Sequence, residues 1–111
     1  MHRVTNLQST GKDAAVISNH KTAIQSIRDT YSYYINSSQI NDGTDEEGNP
    51  TLGVNVDFND ATQANAFHEE LQTYILGKAS DFSYARTRVH DCGHASDENI
   101  PCKLGDVKRL V

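Results

Sequence analysis

Aromatic and cationic side chains alternate along residues 82–92 of this chain. Phe82, Tyr84, Arg86, Arg88 and His90 occupy every second position. Because successive side chains of a β-strand point to opposite faces, a strand here would present all five on one face. Aromatic rings can stack on a nucleotide base and guanidiniums can pair with phosphate, but the same residue types are enriched in protein interfaces. The pattern therefore predicts a nucleotide site or a protein contact, and the two are compatible if a ligand lies between subunits.

Histidines and cysteines near the C-terminal end are of the types that bind zinc. His90, Cys92 and His94 lie at every second position, and Cys102 is close enough in sequence to return across the loop. Zinc modules usually carry paired ligands about two to four residues apart in two knuckles, and this spacing differs from that pattern. The spacing favours a cysteine pair, reduced or joined, that brackets a loop. We therefore expect no metal site.

Arg28 is a further candidate, since helical spacing places it beside Ile24 and Tyr31 at the margin of an apolar stripe. It is either a side chain that covers the core with its stem or a phosphate ligand at the rim of a pocket. The pair Glu69-Glu70 is expected on the exposed side of a helix. The chain has no glycine-rich phosphate loop, no HExxH and no nucleophile elbow. We expect no catalytic residues and no cofactor.

The first half of the chain predicts a strand, a long helix and a loop. Residues 3–8 are expected to form a short strand. Apolar residues at three- and four-residue spacing predict a helix over 12–36, with Thr10 as its N-cap. Residues 37–51 contain an acidic run with glycine and proline, which predicts a solvated loop.

The second half predicts a strand, a helix and two further strands. Leu52, Val54, Val56 and Phe58 alternate with polar residues and predict a half-buried strand. Asp60 begins a capping box, and the helix that follows ends with Gly77 at C′. Residues 82–92 predict a strand, and 104–111 a last short one. The pattern predicts an α+β fold, with two helices packed on a small, mainly antiparallel sheet, in a single domain over 1–111.

Length and charge narrow the function classes. The 111 residues fit one domain, and the net charge of −5 argues against binding of nucleic-acid polymers. Residues 1–77 carry four basic and ten acidic side chains, whereas 78–111 carry six and five. This asymmetry favours a small anionic ligand. No apolar run is long enough for a membrane span, and we expect a soluble protein in the compartment where it is made. The low hydrophobic share of 36 % predicts a thin core that self-association completes.

The chain resembles the Thoeris anti-defence protein 1 family of small phage proteins over nearly its whole length. The resemblance rests on the run Val4-Thr5-Asn6-Leu7-Gln8-Ser9-Thr10-Gly11-Lys12-Asp13-Ala14 and on Arg28-Asp29-Thr30-Tyr31 within the first helix. It continues through Phe82 and the strand that follows, a loop framed by Cys92 and Cys102, and the basic end Lys108-Arg109.

The resemblance implies a sponge that binds, without cleaving, the cyclic ADP-ribose isomer made by TIR-domain enzymes of bacterial Thoeris immunity. Some members also hold cyclic trinucleotides at separate sites in a hexamer. It implies a homo-oligomer, expected to be a hexamer, in the cytoplasm of the bacterial host. By position, Phe82 would stack the adenine, and Arg28 and Arg109 would contact the phosphates and the base.

The cysteine-framed loop would supply polar contacts in such a family member. In this chain these contacts would come from His94, Ser96 and Asp97. Arg88 is a further candidate ligand, because it belongs to the alternating aromatic and cationic residues of 82–92. An Asn-His-Asp-like run is expected after the first cysteine. This chain reads Gly93-His94-Ala95-Ser96-Asp97-Glu98 instead, so the loop contacts are expected to differ.

Two other function classes fit the sequence. The first is a nucleotide hydrolase with a metal at His90, Cys92, His94 and Cys102. The second is a protein–protein inhibitor or immunity protein, in which the arginines face an acidic partner.

Overall fold

The computed structural model describes residues 2–92 and 107–109, and the side chains of residues 5–89. Its elements are β1 (His2–Gly11), α1 (Ala14–Asp29), β2 (Ile35–Thr44), β3 (Pro50–Phe58), α2 (Ala61–Gly77), β4 (Phe82–Cys92) and β5 (Val107–Arg109). The strands form one sheet in the order β2-β3-β1-β4-β5, and each neighbouring pair is antiparallel. The predicted α+β class, two helices with a mainly antiparallel sheet, is confirmed.

The path of the chain from β1 to β4 is the split β-α-β arrangement, β-α-β-β-α-β. β1 lies in the middle of the sheet, where Leu7 pairs with Val54 of β3 and with Thr87 of β4. α1 packs mainly over β2 and β3, and α2 mainly over β1 and β4. The helices thus cover one face of the sheet. We call the opposite face the open face.

Aspartate side chains begin both helices. The Asp13 carboxylate accepts hydrogen bonds from the backbone N–H groups of Ala15 and Val16, at 2.8 and 3.3 Å. Asp13 is therefore the N-cap of α1, and the predicted cap Thr10 lies in β1 instead. Asp60 caps α2 as predicted, accepting from the Thr62 N–H at 2.7 Å.

Two predictions around α1 are wrong. The helix ends at Asp29, because a 3-10 turn over Ser32–Tyr34 redirects the chain into β2. Residues 37–51 are no solvated loop, since they contain most of β2 and the start of β3. The only buried side chain of β2 is Ile40. An edge strand with so little buried surface has no apolar alternation from which a strand could be predicted.

The hairpin between β2 and β3 is closed by a turn over 45–49. The Asp45 carboxylate accepts hydrogen bonds from the backbone N–H groups of Glu47 and Asn49, at 2.9 and 2.8 Å. Gly48 adopts a φ of 86°, which side chains other than that of glycine rarely adopt. The acidic run therefore forms the turn of a hairpin.

Smaller differences concern the ends of elements. Gly77 is the last residue of α2, with Lys78 as the C-cap, so Gly77 is not at C′. The strand predicted at 3–8 extends over His2–Gly11. Of the predicted last strand, the structure describes Val107–Arg109 as a strand.

The core fills the space between the helices and the sheet. Its buried side chains come from all four long strands, both helices and the turn after α1: Leu7, Ile17, Ile24, Tyr31, Ile40, Leu52, Val54, Val56, Phe58, Ala64, Phe67, Leu71, Ile75, Phe82 and Ala85. Apolar burial of this kind supplies the main driving force for folding. No helix of the described chain is both long and apolar enough to cross a lipid bilayer.

Candidate functional site

The open face brings amide and guanidinium side chains side by side at the middle of the sheet. Asn6 of β1 pairs with Arg88 of β4, and Gln8 pairs with Arg86. Residues paired across an antiparallel ladder belong to the same face. Because Leu7 and Thr87, at the alternate positions, are fully buried under the helices, these four residues lie on the open face.

Arg86 and Arg88 are two positions apart on one strand, about 7 Å along it. Arg86 Nη2 donates a hydrogen bond to Gln8 Oε1 at 2.9 Å. The Nε atoms of Arg86 and Arg88 and the Asn6 Oδ1 atom are shielded from solvent, and none of the described residues forms a hydrogen bond with them. A shielded polar atom without a partner costs about 1–3 kcal/mol. The open face therefore has hydrogen-bonding groups that the described part of the chain does not use.

The electrostatics of the pair favour an anion. Burial, and next the charge of Arg86, lower the pKa of the Arg88 guanidinium, while Tyr84 acts in the opposite direction. Among the described side chains of residues 5–89, no carboxylate forms an ion pair with either arginine. Two adjacent positive charges raise each other's free energy, and a bound anion would relieve that repulsion. Arginine also binds two oxygens of a phosphate at once.

A third arginine lies next to this pair, on the neighbouring strand β5. β5 pairs with β4 so that Arg109 is opposite Arg86 and Val107 is opposite Arg88. The backbone thus places Arg109, which the family resemblance implies as a ligand, at the register position next to the arginine pair.

Phe82 does not lie on the face that was predicted for it. Consecutive β1 residues Thr10 and Gly11 pair with Tyr84 and Phe82, so Ser83 is an extra residue in β4 and the register shifts there. Because one residue is extra, side chains on the two sides of the bulge no longer follow a single alternation between the faces of the sheet. Phe82 therefore points into the core with 1 % exposure. Tyr84 pairs with Thr10 and stays on the open face with Arg86 and Arg88. An adenine could reach the Phe82 ring only by displacing core residues.

The partner of the Phe82 ring is His20, a residue that was not among the predicted site residues. The two rings stack with centroids 5.4 Å apart and planes at 28°. His20 Nδ1 lies 2.6 Å from the Tyr74 hydroxyl, and His20 Nε2 lies 2.7 Å from Asp81 Oδ2. The sequence does indicate that His20 lies on the apolar stripe of the first helix, because it follows Ile17 by three residues and precedes Ile24 by four. This network links α1, α2 and the turn before β4.

Arg28 lies on the helix-covered side of the molecule. Its Nε donates to Asp29 Oδ1 and its Nη1 donates to Ser38 Oγ, both at 2.9 Å. Ser38 pairs with the buried Val56, so it faces the helices. The structure therefore does not bring Arg28 together with Arg86 and Arg88 within one chain.

Other candidates lie outside the described residues. His94, Ser96, Asp97 and Cys102 are among them, and for His90 and Cys92 only the backbone is described. Within the described part of the chain, no group of three histidine, cysteine, aspartate or glutamate side chains could hold a metal ion.

Comparison with known proteins identifies a fold and no family. No family model matches the chain, and no curated protein matches it. A solved structure of aldoxime dehydratase has a similar fold, with a TM-score of 0.53 at 13 % sequence identity. The similarity covers 90 % of this chain and 32 % of that one, so this chain spans about a third of the neighbour's length. At this identity the likeness concerns the fold alone.

Proposed function

We propose that this protein is a phage anti-defence sponge, which binds and sequesters, without cleaving, a cyclic ADP-ribose isomer made by TIR-domain enzymes of bacterial Thoeris immunity. One observation carries the proposal. Arg86 and Arg88 lie side by side on the open face, and neither has a carboxylate partner among the described side chains. A pyrophosphate supplies two negative charges to such a pair.

The surrounding residues suit a nucleotide. Arg86 and Arg88 would hold the pyrophosphate, with Arg109 adjacent on β5, and the Asn6 and Gln8 amides offer both donors and acceptors to polar edges of the ligand. Tyr84 replaces Phe82 as the aromatic residue proposed to stack on adenine. Stacking of one base on an aromatic ring contributes about 1–3 kcal/mol.

Sequestration without turnover fits the chemistry of these side chains. Side-chain amides and guanidiniums keep one protonation state near neutral pH, so they stabilise a bound anion without acting as general acid or base. A sponge must compete with a receptor, which requires about submicromolar affinity, or roughly 8 kcal/mol of binding free energy.

A site on an open sheet face covers a ligand from one side. A second copy of the chain lying over that face would enclose it and bury more of its surface. The homo-oligomer, with a hexamer as the expected assembly, belongs to this proposal, as does the cytoplasm of the infected host.

The test measures retention of intact ligand. Purified protein is mixed with cyclic ADP-ribose isomers, washed and heat-denatured, and the released nucleotide is analysed by mass spectrometry. We expect intact ligand from the wild type. Loss of a hydrogen bond to a charged group costs about 1.5–3 kcal/mol, so Arg88→Ala should weaken binding about 10- to 100-fold.

Arg28→Ala is the matched control, since it removes an arginine from the opposite side of the sheet, and we expect it to retain the ligand. Degraded nucleotide on release would contradict sequestration. Equal retention by Arg86→Ala, Arg88→Ala and wild type would contradict the site. Capture of an acidic protein without any nucleotide retention would favour the inhibitor class instead.

A further inference from the structure

A groove runs along the seam between α1 and α2, on the side of the molecule away from the open face. Its volume is about 540 Å³, within the range of small-molecule sites. The α2 residues that line it follow helical spacing and form one stripe: Ala66, Glu69, Glu70, Thr73 and Tyr74. Ile27 and Tyr31 line the other side.

The rings of Tyr31 and Tyr74 are fixed in this groove by their hydroxyl groups. The Tyr31 hydroxyl donates a hydrogen bond to Glu70 Oε1 at 2.8 Å. The Tyr74 hydroxyl forms a hydrogen bond with Nδ1 of the buried His20. Tyr31 also makes edge contacts with Phe58 and Phe67. Rings held in this way lose little freedom when a ligand binds.

The charge of the groove has a single sign. Glu69 and Glu70 supply carboxylates, and none of the lining residues is lysine, arginine or histidine. Burial, and next the hydrogen bond to Glu70, raise the pKa of Tyr31 to about 12, so its ring stays neutral at physiological pH. Anionic ligands would be repelled by this surface.

We infer that the groove between α1 and α2 binds a small organic ammonium ion, with the cation against the Tyr31 and Tyr74 rings and beside the Glu69 and Glu70 carboxylates. The face of an aromatic ring attracts a cation, most strongly one that is weakly hydrated, such as a quaternary ammonium. Ile27 and Ala66 provide apolar contact for the carbon atoms of the ligand. A bare metal ion fits less well, because the groove offers two carboxylates where hard cations take six or more oxygen ligands.

The probe is choline, and the comparison is its neutral isostere in which carbon replaces the nitrogen. Binding is followed by NMR, through the ring resonances of Tyr31 and Tyr74 in isotope-labelled protein. We expect choline to shift these resonances saturably and to bind several-fold more tightly than the isostere, as a cation–π contact in an open groove with nearby carboxylates requires. Equal binding of the two probes, or no saturable shift with choline, would overturn the inference.

Two variants locate the effect. Glu69→Gln should weaken choline binding several-fold, whereas Glu46→Gln removes the same charge from the exposed hairpin turn and should leave it unchanged. If both variants weaken it equally, the effect is the net charge of the protein and the groove is not the site. Arg88→Ala should not alter choline binding, which keeps this result separate from the nucleotide proposal.

Discussion

On the helix-covered face of β4, Ala85 and Thr87 are fully buried, whereas Arg86 and Arg88 on the open face are half-buried and charged. The same contrast holds along β1, where Leu7 is buried and Gln8 is exposed. One face of the sheet thus contributes most of the apolar burial. The other face carries polar groups for which the described residues provide no hydrogen-bond partner. Substitutions on the two faces should therefore separate stability from binding.

The largest expected effect comes from Phe82→Ala on the covered face. Truncation of a fully buried phenylalanine costs about 3–5 kcal/mol, and here it also removes the ring stacked on His20. Urea unfolding followed by circular dichroism measures the loss. Tyr84→Ala, two residues away on the open face, is the matched control and should cost clearly less. Equal costs for the two variants would show that the bulge at Ser83 does not separate them.

An intermediate effect is expected in the titration of Tyr31, whose hydroxyl bonds to Glu70 on the covered side of the molecule. Its pKa is about 12 in the folded protein, against about 10 in an unfolded chain. The folded state thus keeps the proton more tightly. The contribution of this hydroxyl to the free energy of unfolding is therefore complete below pH 10 and is lost as the pH rises from 10 to 12.

Phenolate absorbance measures this titration. Tyr31→Phe should remove one group that titrates near pH 12, and Glu70→Gln should move that group back towards pH 10. Tyr33 is 88 % exposed, so Tyr33→Phe is the matched control and should leave the group in place. A Tyr31→Phe titration identical to that of the wild type would contradict the assignment.

The smallest effect on stability is expected from Arg88→Ala on the open face. Most surface substitutions change stability by no more than about 0.5 kcal/mol, and removal of Arg88 also relieves its repulsion by Arg86. Thermal melting without ligand should therefore give a nearly unchanged midpoint, while ligand retention falls. A large drop in the midpoint would mean that Arg88 stabilises the fold and that its effect on binding is indirect.

The elements that could be predicted are those whose side chains alternate clearly between core and solvent. In β3, Leu52, Val54, Val56 and Phe58 are all buried, and the strand is as predicted apart from its first two residues. β2 could not be predicted, because it is an edge strand with one buried side chain. The helix pattern continued past Asp29 because Tyr31 and Ile35, though outside the helix, still pack on the same core.

The candidate site was predicted in part. Arg86 and Arg88 are neighbours on one face as their spacing indicates, and β5 brings Arg109 beside them. Asn6 and Gln8 were missed, although they are the polar alternates of a predicted strand. Nothing in the local sequence shows that β1 is the neighbour of β4, since that pairing joins residues about 80 positions apart.

The sequence by itself determined the α+β class, the limits of α2 to within two residues, and the alternation that places Arg86 and Arg88 together, because these depend on local periodicity. Tertiary structure alone decided that Phe82 turns into the core, that Arg28 lies on the side opposite the arginine pair, and that His20 joins Tyr74 to Asp81. The physical reason is that a bulge, a strand register and a buried hydrogen-bond network each depend on partners distant in the chain. Local patterns report whether a side chain is buried, but not which residue it meets.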